Sequence, residues 1–306
     1  YLASKIVSLE GEDLLKSRQH GKGNKLINDI EFSMCKFDMN ILSNLSEIFR
    51  TMKNLRSLSF ISIFFEDQAD YDALTKELVK VNLQELIIKT NLIADNQFFT
   101  FAKEIRNFKC LITLNLDFSS QYSKISNHGV RDLCKEGLQH LDLLETLILN
   151  FSYCGRISDE GVEDLSIYGL QQLKSLRTLN LNLSDCGRIS DKGMKNLSVQ
   201  GLQQLMSLTT LILNVSEGSI TNEGLQILSS SGIQHLQQLE SLNHDLSGNK
   251  SVTDVQLLGL CFEGSKNVES LKNLSLCFSR CVYITASEIQ SFFVKVIQKT
   301  ISLTSL

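Results

Sequence analysis

The phrase Leu-x-x-Leu-x-Leu recurs along the whole chain, and no single feature constrains the fold more. It begins as Ile27-x-x-Ile30-x-Phe32 and returns from Leu55, Leu83, Leu111, Leu144, Leu176, Leu208, Leu239 and Leu271, with a tenth copy opening at Leu303. A unit of this size presents one apolar face that it cannot cover alone, so each copy must bury that face against the next and the units stack into a solenoid. The spacing is 28 residues from Ile27 to Leu111 and 31 to 33 beyond it. The expected organisation is a degenerate or capping repeat over 1–26, with Leu14 and Leu15 on a short helix, and a repeat domain over 27–306. Within that domain lie short repeats over 27–110, long repeats over 111–302 and the start of a truncated repeat at 303–306. Tyr1 in place of an initiator Met, and the bare start of the last repeat, suggest a piece of a longer polypeptide.

The segments after the strands repeat as well, as in ISDEGVEDLSIYGLQQLKSL from Ile157 and ISDKGMKNLSVQGLQQLMSL from Ile189. Ser158 and Ser190 read as helix N-caps, with Asp159 and Asp191 set favourably against the helix dipole. Val162, Leu165, Leu170 and Leu173 then follow at helical spacing. Each long repeat is expected to hold one strand, one loop and one helix of about four turns. In the short block, helices are expected near 40–50, 69–80 and 96–107. The fold class is therefore α/β: a horseshoe with a parallel sheet on the concave face and helices on the convex face.

The phrase resembles that of the leucine-rich repeat family, in particular its ribonuclease-inhibitor-like and cysteine-containing classes, over roughly residues 27 to 306. There a small residue, Asn or Cys, occupies the ninth position; here Ser119, Ser152, Ser184, Ser216, Ser247 and Ser279 stand in its place, with hydroxyls able to satisfy backbone groups. The Ile-Ser-Asp-x-Gly segment is similar to a phrase of the cysteine-containing class. The resemblance implies a non-catalytic protein-binding scaffold within a larger assembly. One alternative it implies is a ubiquitin-ligase substrate receptor, which needs an F-box upstream of the repeats. A more remote one is a Ran-type GTPase-activating protein.

Strand alternation points positions 3, 5 and 7 of each repeat outward. The candidate protein-binding residues are Thr146, Thr178 and Thr210 at position 3, Asn180 at position 5, and Asp117, Asn150, Asn182, Asn214 and Asp245 at position 7. Uniform polar ladders also serve simply to solvate an open sheet. Arg156 and Arg188, at equivalent loop positions, offer two guanidinium forks for a carboxylate or phosphate. The eighth-position row, Phe118, Phe151, Leu183, Val215, Leu246 and Phe278, alternates inward as a second core column; a turn at the strand end would instead expose it as an apolar stripe. His244 replaces an inward Leu and reads as a hydrogen-bonded core filler.

Net charge is -4 with Lys and Arg scattered, which argues against nucleic acid as partner. No stretch of about 18 apolar residues exists, so no membrane span is expected. The 8 Cys include Cys154, Cys186 and Cys281, each ten residues after its opening Leu, with Cys35 near that phase, and no Cys-x-x-Cys occurs. They read as structural thiols in a reducing, cytoplasmic setting, and metal and cofactor are not expected. Asn-x-Ser sequons at Asn150, Asn182 and Asn214 follow from the repeat itself. Phosphate-loop, GxSxG and HExxH signatures are missing, Gly21-Lys22-Gly23 lacks the rest of a nucleotide motif, and no enzyme or small-molecule substrate is expected. The Asn, Lys, Ile and Gln bias without Pro or Trp fits an AT-rich protist genome, which adds the cytoskeleton and the cilium to the expected locations.

Overall fold

The structure is a computed structural model that describes residues 7–9, 29–33, 36–37, 54–61, 64–65, 81–90, 95–254, 270–299 and 303–305. The expected helices near 40–50 and 69–80, most of segment 1–26, and Cys35 lie outside the described residues.

Each described strand is short because the leucine phrase holds only five residues in extended register before the chain must turn. In order they are β1 (Val7–Leu9), β2 (Asp29–Ser33), β3 (Lys36–Phe37), β4 (Ser57–Ile61), β5 (Phe64–Phe65), β6 (Glu85–Lys89), β7 (Thr113–Asp117), β8 (Thr146–Asn150), β9 (Thr178–Asn182), β10 (Thr210–Asn214), β11 (Ser241–Asp245) and β12 (Asn273–Cys277). Ten of them form one parallel sheet in the order β1-β2-β4-β6-β7-β8-β9-β10-β11-β12, while β3 and β5 pair separately. Register is strict: Thr146 faces Thr178, which faces Thr210, and Leu147 faces Leu179. Val7 pairs with Ile30, and the Ser305 backbone bridges to Asn273, so the ladder extends beyond the first and last complete phrases.

The inward set is the leucines. Leu114, Leu147, Leu179 and Leu211 at position 4, and Leu116, Leu149, Leu181 and Leu213 at position 6, are all buried. Each contributes roughly 1.5–3 kcal/mol of transfer free energy. The eighth-position row joins them as a second core column. Phe118, Phe151, Leu183, Val215 and Leu246 are buried, Phe278 packs partly against them, and the Phe118 and Phe151 rings stack with centroids 6.1 Å apart.

The helical half of the long repeats departs from a uniform helix. A six-residue α segment (Asn127–Asp132, Asp159–Asp164, Asp191–Asn196, Asn222–Ile227) widens into a π turn (Leu133–Gly137, Leu165–Gly169, Leu197–Gly201, Leu228–Gly232) and then tightens to a 3-10 turn. Three buried serines mark the change: Ser166, Ser198 and Ser229 donate back to the carbonyls of Val162, Met194 and Leu225. Such back-bonding loosens the normal helix ladder. The glycine that closes each π turn lets the neighbouring helix approach, since a Cβ on Gly169 would lie 3.0 Å from Cys134 Sγ.

Helices need about 8–10 Å between axes where paired strands need about 4.8 Å, so an array with strands on one side and helices on the other bends toward the strands. The fold is an α/β solenoid whose parallel sheet is open. Among the described residues, no helix is long and apolar enough to cross a membrane.

Candidate protein-binding faces

The sheet's outward face is built by three rows in register. Position 3 runs Glu85, Thr113, Thr146, Thr178, Thr210, Ser241, Asn273; position 5 runs Ile87, Asn115, Ile148, Asn180, Ile212, Asn243, Ser275; position 7 runs Lys89, Asp117, Asn150, Asn182, Asn214, Asp245, Cys277. Thr146, Thr178, Thr210, Asn180, Ile148 and Ile212 are all partly exposed. Position 5 alternates Ile with Asn from one repeat to the next, so the face offers apolar and amide contacts every second strand.

Position 7 does structural work. The Oδ1 atoms of Asp117, Asn150, Asn182, Asn214 and Asp245 accept from the backbone N–H two residues on, at Ser119, Ser152, Ser184, Ser216 and Ser247, at 2.9–3.1 Å. These side chains close the turn that ends each strand, the task the sequence suggested for the ninth-position hydroxyls. Ser119 and Ser247 instead send their hydroxyls to Asp117 Oδ1 and Cys277 Sγ. The following residue takes a left-handed conformation at Tyr153, Asp185, Glu217, Gly248 and Arg280. No residue type is shared there, which is why the sequence did not disclose it.

The eleventh position fixes the loop from within. The thiols of Cys154, Cys186 and Cys281 donate to the carbonyls of Phe118, Phe151 and Leu246, and Asn249 Nδ2 does the same for Val215 at 2.8 Å. Burial pushes the Cys154 and Cys281 thiols up, and that of Cys186 up to about 12, so they stay protonated donors. Cys277 differs: partly exposed at a position 7, it accepts from Ser247, and hydrogen bonds to Ser247 and Ser279 hold its thiol below the usual range.

The Ser-Asp-x-Gly phrase links one repeat to the next. Asp159 accepts from Ser190 N and Ser190 Oγ, both at 2.8 Å, and from Gly193 N at 2.9 Å. Asp95 likewise accepts from the backbone N–H and hydroxyl of Ser126, and Asp191 from those of Thr221, while Asn127 and Asn222 accept from the N–H of Ser158 and Thr253 through Oδ1 and donate to their hydroxyls through Nδ2. The capping expectation is met at Ser190, whose Oγ accepts from Lys192 N. It fails at Ser158, which makes no side-chain cap and whose hydroxyl accepts from Asn127 Nδ2. The acids are thus inter-repeat clamps as well as charges at a helix start. On the helix side Arg131 reaches Glu160 at 2.6 Å and the buried Asp164 at 2.9 Å, one repeat ahead.

His244 fills its leucine slot fully buried, with Nδ1 3.0 Å from the Leu213 carbonyl and Nε2 without a partner. Burial pulls its pKa down to about 4, so the ring is neutral at pH 7. Among the described residues, no group of three or more His, Cys, Asp or Glu is arranged to hold a metal. Arg156 and Arg188 are exposed in consecutive loops, and the Arg188 backbone bridges to Ser158. Lys124 precedes Ile125 just as the arginines precede Ile157 and Ile189, and Tyr122 and Tyr153 are exposed in the loops after β7 and β8; none of the three stood out in the sequence.

A family model described as "Leucine Rich repeat" matches residues 147–166 and 174–198. No curated protein matches the chain. Among solved structures, the crystal structure of a Bacteroides fragilis protein from the Northeast Structural Genomics Consortium covers 90% of this chain and 74% of its own, at 15% identity and a TM-score of 0.54. The crystal structure of the Rad7 and Elc1 complex in yeast covers 92% of this chain and 74% of that one, at 15% identity and a TM-score of 0.44.

Proposed function

From the premise that this chain is a leucine-rich repeat protein, we propose that it is a non-catalytic scaffold that holds another protein against the outward face of its sheet. The observation that carries the reading is the division of labour on that face. Position 7 spends an oxygen on closing the strand at Asp117, Asn150, Asn182, Asn214 and Asp245, whereas among the described residues no hydrogen bond holds the side chains of Thr146, Thr178, Thr210 and Asn180. Their donors and acceptors stand in register beside Ile148 and Ile212 and are free for a partner. Solenoids use such extended surfaces for recognition, and mixed apolar and amide rows suit a protein better than a phosphate backbone.

The compartment we propose is the cytoplasm, the cilium included, and it rests on the composition bias and the phased thiols. A ubiquitin-ligase substrate receptor is a special case of the same reading. In-cell crosslinking with mass spectrometry, on the chain as it exists and on a variant carrying Thr178→Gln and Asn180→Trp, tests the proposal. The wild type is expected to give one reproducible protein whose crosslinks flank β7–β11, and the variant to lose it while keeping its thermal midpoint. Unchanged crosslinks in the variant, or crosslinks confined to the helix side, would overturn it; a ligase adaptor among them would select the special case.

A further inference from the structure

We propose that the loops following β7, β8 and β9 form a second docking surface, cationic and edged by tyrosine, for an acidic segment of a partner protein. Lys124, Arg156 and Arg188 occupy one loop position in three successive repeats, and all three are exposed. Each is followed by a buried isoleucine, Ile125, Ile157 or Ile189, so alternation turns the cation outward. In the next repeats the equivalent residues are Ser219, Ser251 and Tyr283, and the charge ends there. The patch is a local departure from the repeat, as recognition requires, and not a consequence of it.

The loops are held before any partner arrives. The residues after the cations are pinned by Ser126 to Asp95, Ser158 to Asn127 and Ser190 to Asp159. Arg188 pairs by backbone with Ser158, two residues on from Arg156. A strand separation of about 4.8 Å and a two-residue rise of about 6.6 Å then put successive cations on the order of 8 Å apart at Cα. Carboxylates on alternate residues of an extended peptide lie about 7 Å apart, within reach of these side chains.

Charge decides the class of partner. Among the described residues, the cations in ion pairs are Arg106, Arg131, Arg177, Lys272 and Arg280, so Lys124, Arg156 and Arg188 are engaged in none, on a chain of net charge -4. Asp185 is half-buried in the same loops, the nearby carboxylates of Asp95, Asp159 and Asp191 are engaged by Ser126, Ser190 and Thr221, and Glu160 is taken by Arg131. Tyr122 and Tyr153, 76% and 53% exposed, flank the cations and give an aromatic or apolar residue of the segment a ring to cover. Tyr and Arg together are the side chains that anchor protein interfaces. Three cations among clamp aspartates are too few for a nucleic-acid track, which gains affinity from many phosphate contacts.

The test is fluorescence anisotropy with a labelled peptide of alternating Glu and Ser around one Phe, and a control peptide with Gln in place of Glu. The glutamate peptide is expected to bind the wild-type chain at least about tenfold more tightly than the control, with the difference shrinking in high salt. The double change Arg156→Gln and Arg188→Gln is expected to remove about that factor without moving the thermal midpoint. The sheet variant, Thr178→Gln with Asn180→Trp, is expected to leave peptide affinity unchanged, which separates this surface from the scaffold face. Equal binding by the two peptides, equal binding by wild type and the arginine variant, or no binding up to ~1 mM would overturn the proposal. So would tighter binding of polyuridine RNA or phosphatidylserine vesicles than of the peptide.

Discussion

Replacing Asp159 by Ala removes the acceptor of three hydrogen bonds that cross from one repeat to the next, at 2.8, 2.8 and 2.9 Å. A bond to a charged acceptor contributes about 1.5–3 kcal/mol when buried. Asp159 and Ser190 are half exposed, so about 1 kcal/mol each is the better figure. Gly193 is buried, and its N–H would be left without an acceptor. With the lost charge at the start of Asp159–Asp164, the expected cost is about 3 kcal/mol. Asp159→Asn is the discriminating control, because Asn127 already makes the two bonds to the Ser158 backbone and hydroxyl through Oδ1 and Nδ2, both at 2.9 Å, and Asn222 makes them to Thr253. It should cost about 1 kcal/mol or less, the worth of the Ser190 cap, since Ser158 makes none when partnered by Asn. Urea midpoints rank the three proteins, and amide exchange at Ser190 and Gly193 locates the change. A solenoid couples neighbours pairwise, so faster exchange should concentrate at the Asp159–Ser190 junction. If Asp159→Ala and Asp159→Asn fall within about 0.5 kcal/mol of each other, or Gly193 exchange is unmoved by Ala, the clamp does not hold the repeats together.

Gly224→Ala should destabilise by about 1–3 kcal/mol in a thermal melt, because the added Cβ would lie 2.2 Å from Asp191 Oδ1 and displace the clamp. His244 makes stability fall with acid: the unfolded ring takes a proton below about 6.5 and the buried one only near 4, so roughly 3 kcal/mol drains away as pH drops through that window. His244→Leu should flatten that slope in urea titrations run between those limits, whereas an unchanged slope would assign it elsewhere. In native thiol labelling followed by mass spectrometry, Cys277, part exposed with its thiol held low, should react well before Cys134, Cys154, Cys186 and Cys281, which are buried with thiols pushed up. Equal labelling of Cys186 and Cys277 would refute this.

The leucine phrase by itself determined the solenoid, the parallel sheet and the inward set, because a period of this size with three apolar positions has one way to bury them: against its own copies. The eighth-position row was legible for the same reason, alternation along a strand. The clamp from Asp159 to Ser190 joins residues 31 apart and exists only when two repeats are stacked, so a local capping rule recognised Ser190 and misjudged Ser158. The left-handed residue that follows the turn was silent in sequence because a backbone hydrogen bond to the next repeat's serine carbonyl holds Tyr153, Asp185 and Glu217 alike, whatever the side chain. At Asn150, Asn182 and Asn214 each Oδ1 closes a local turn with the backbone two residues on, a bond within reach of sequence reasoning because Asn favours such turns. The cationic loops needed the fold too: Lys124, Arg156 and Arg188 are 32 residues apart in sequence at each step, and only stacking makes them neighbours.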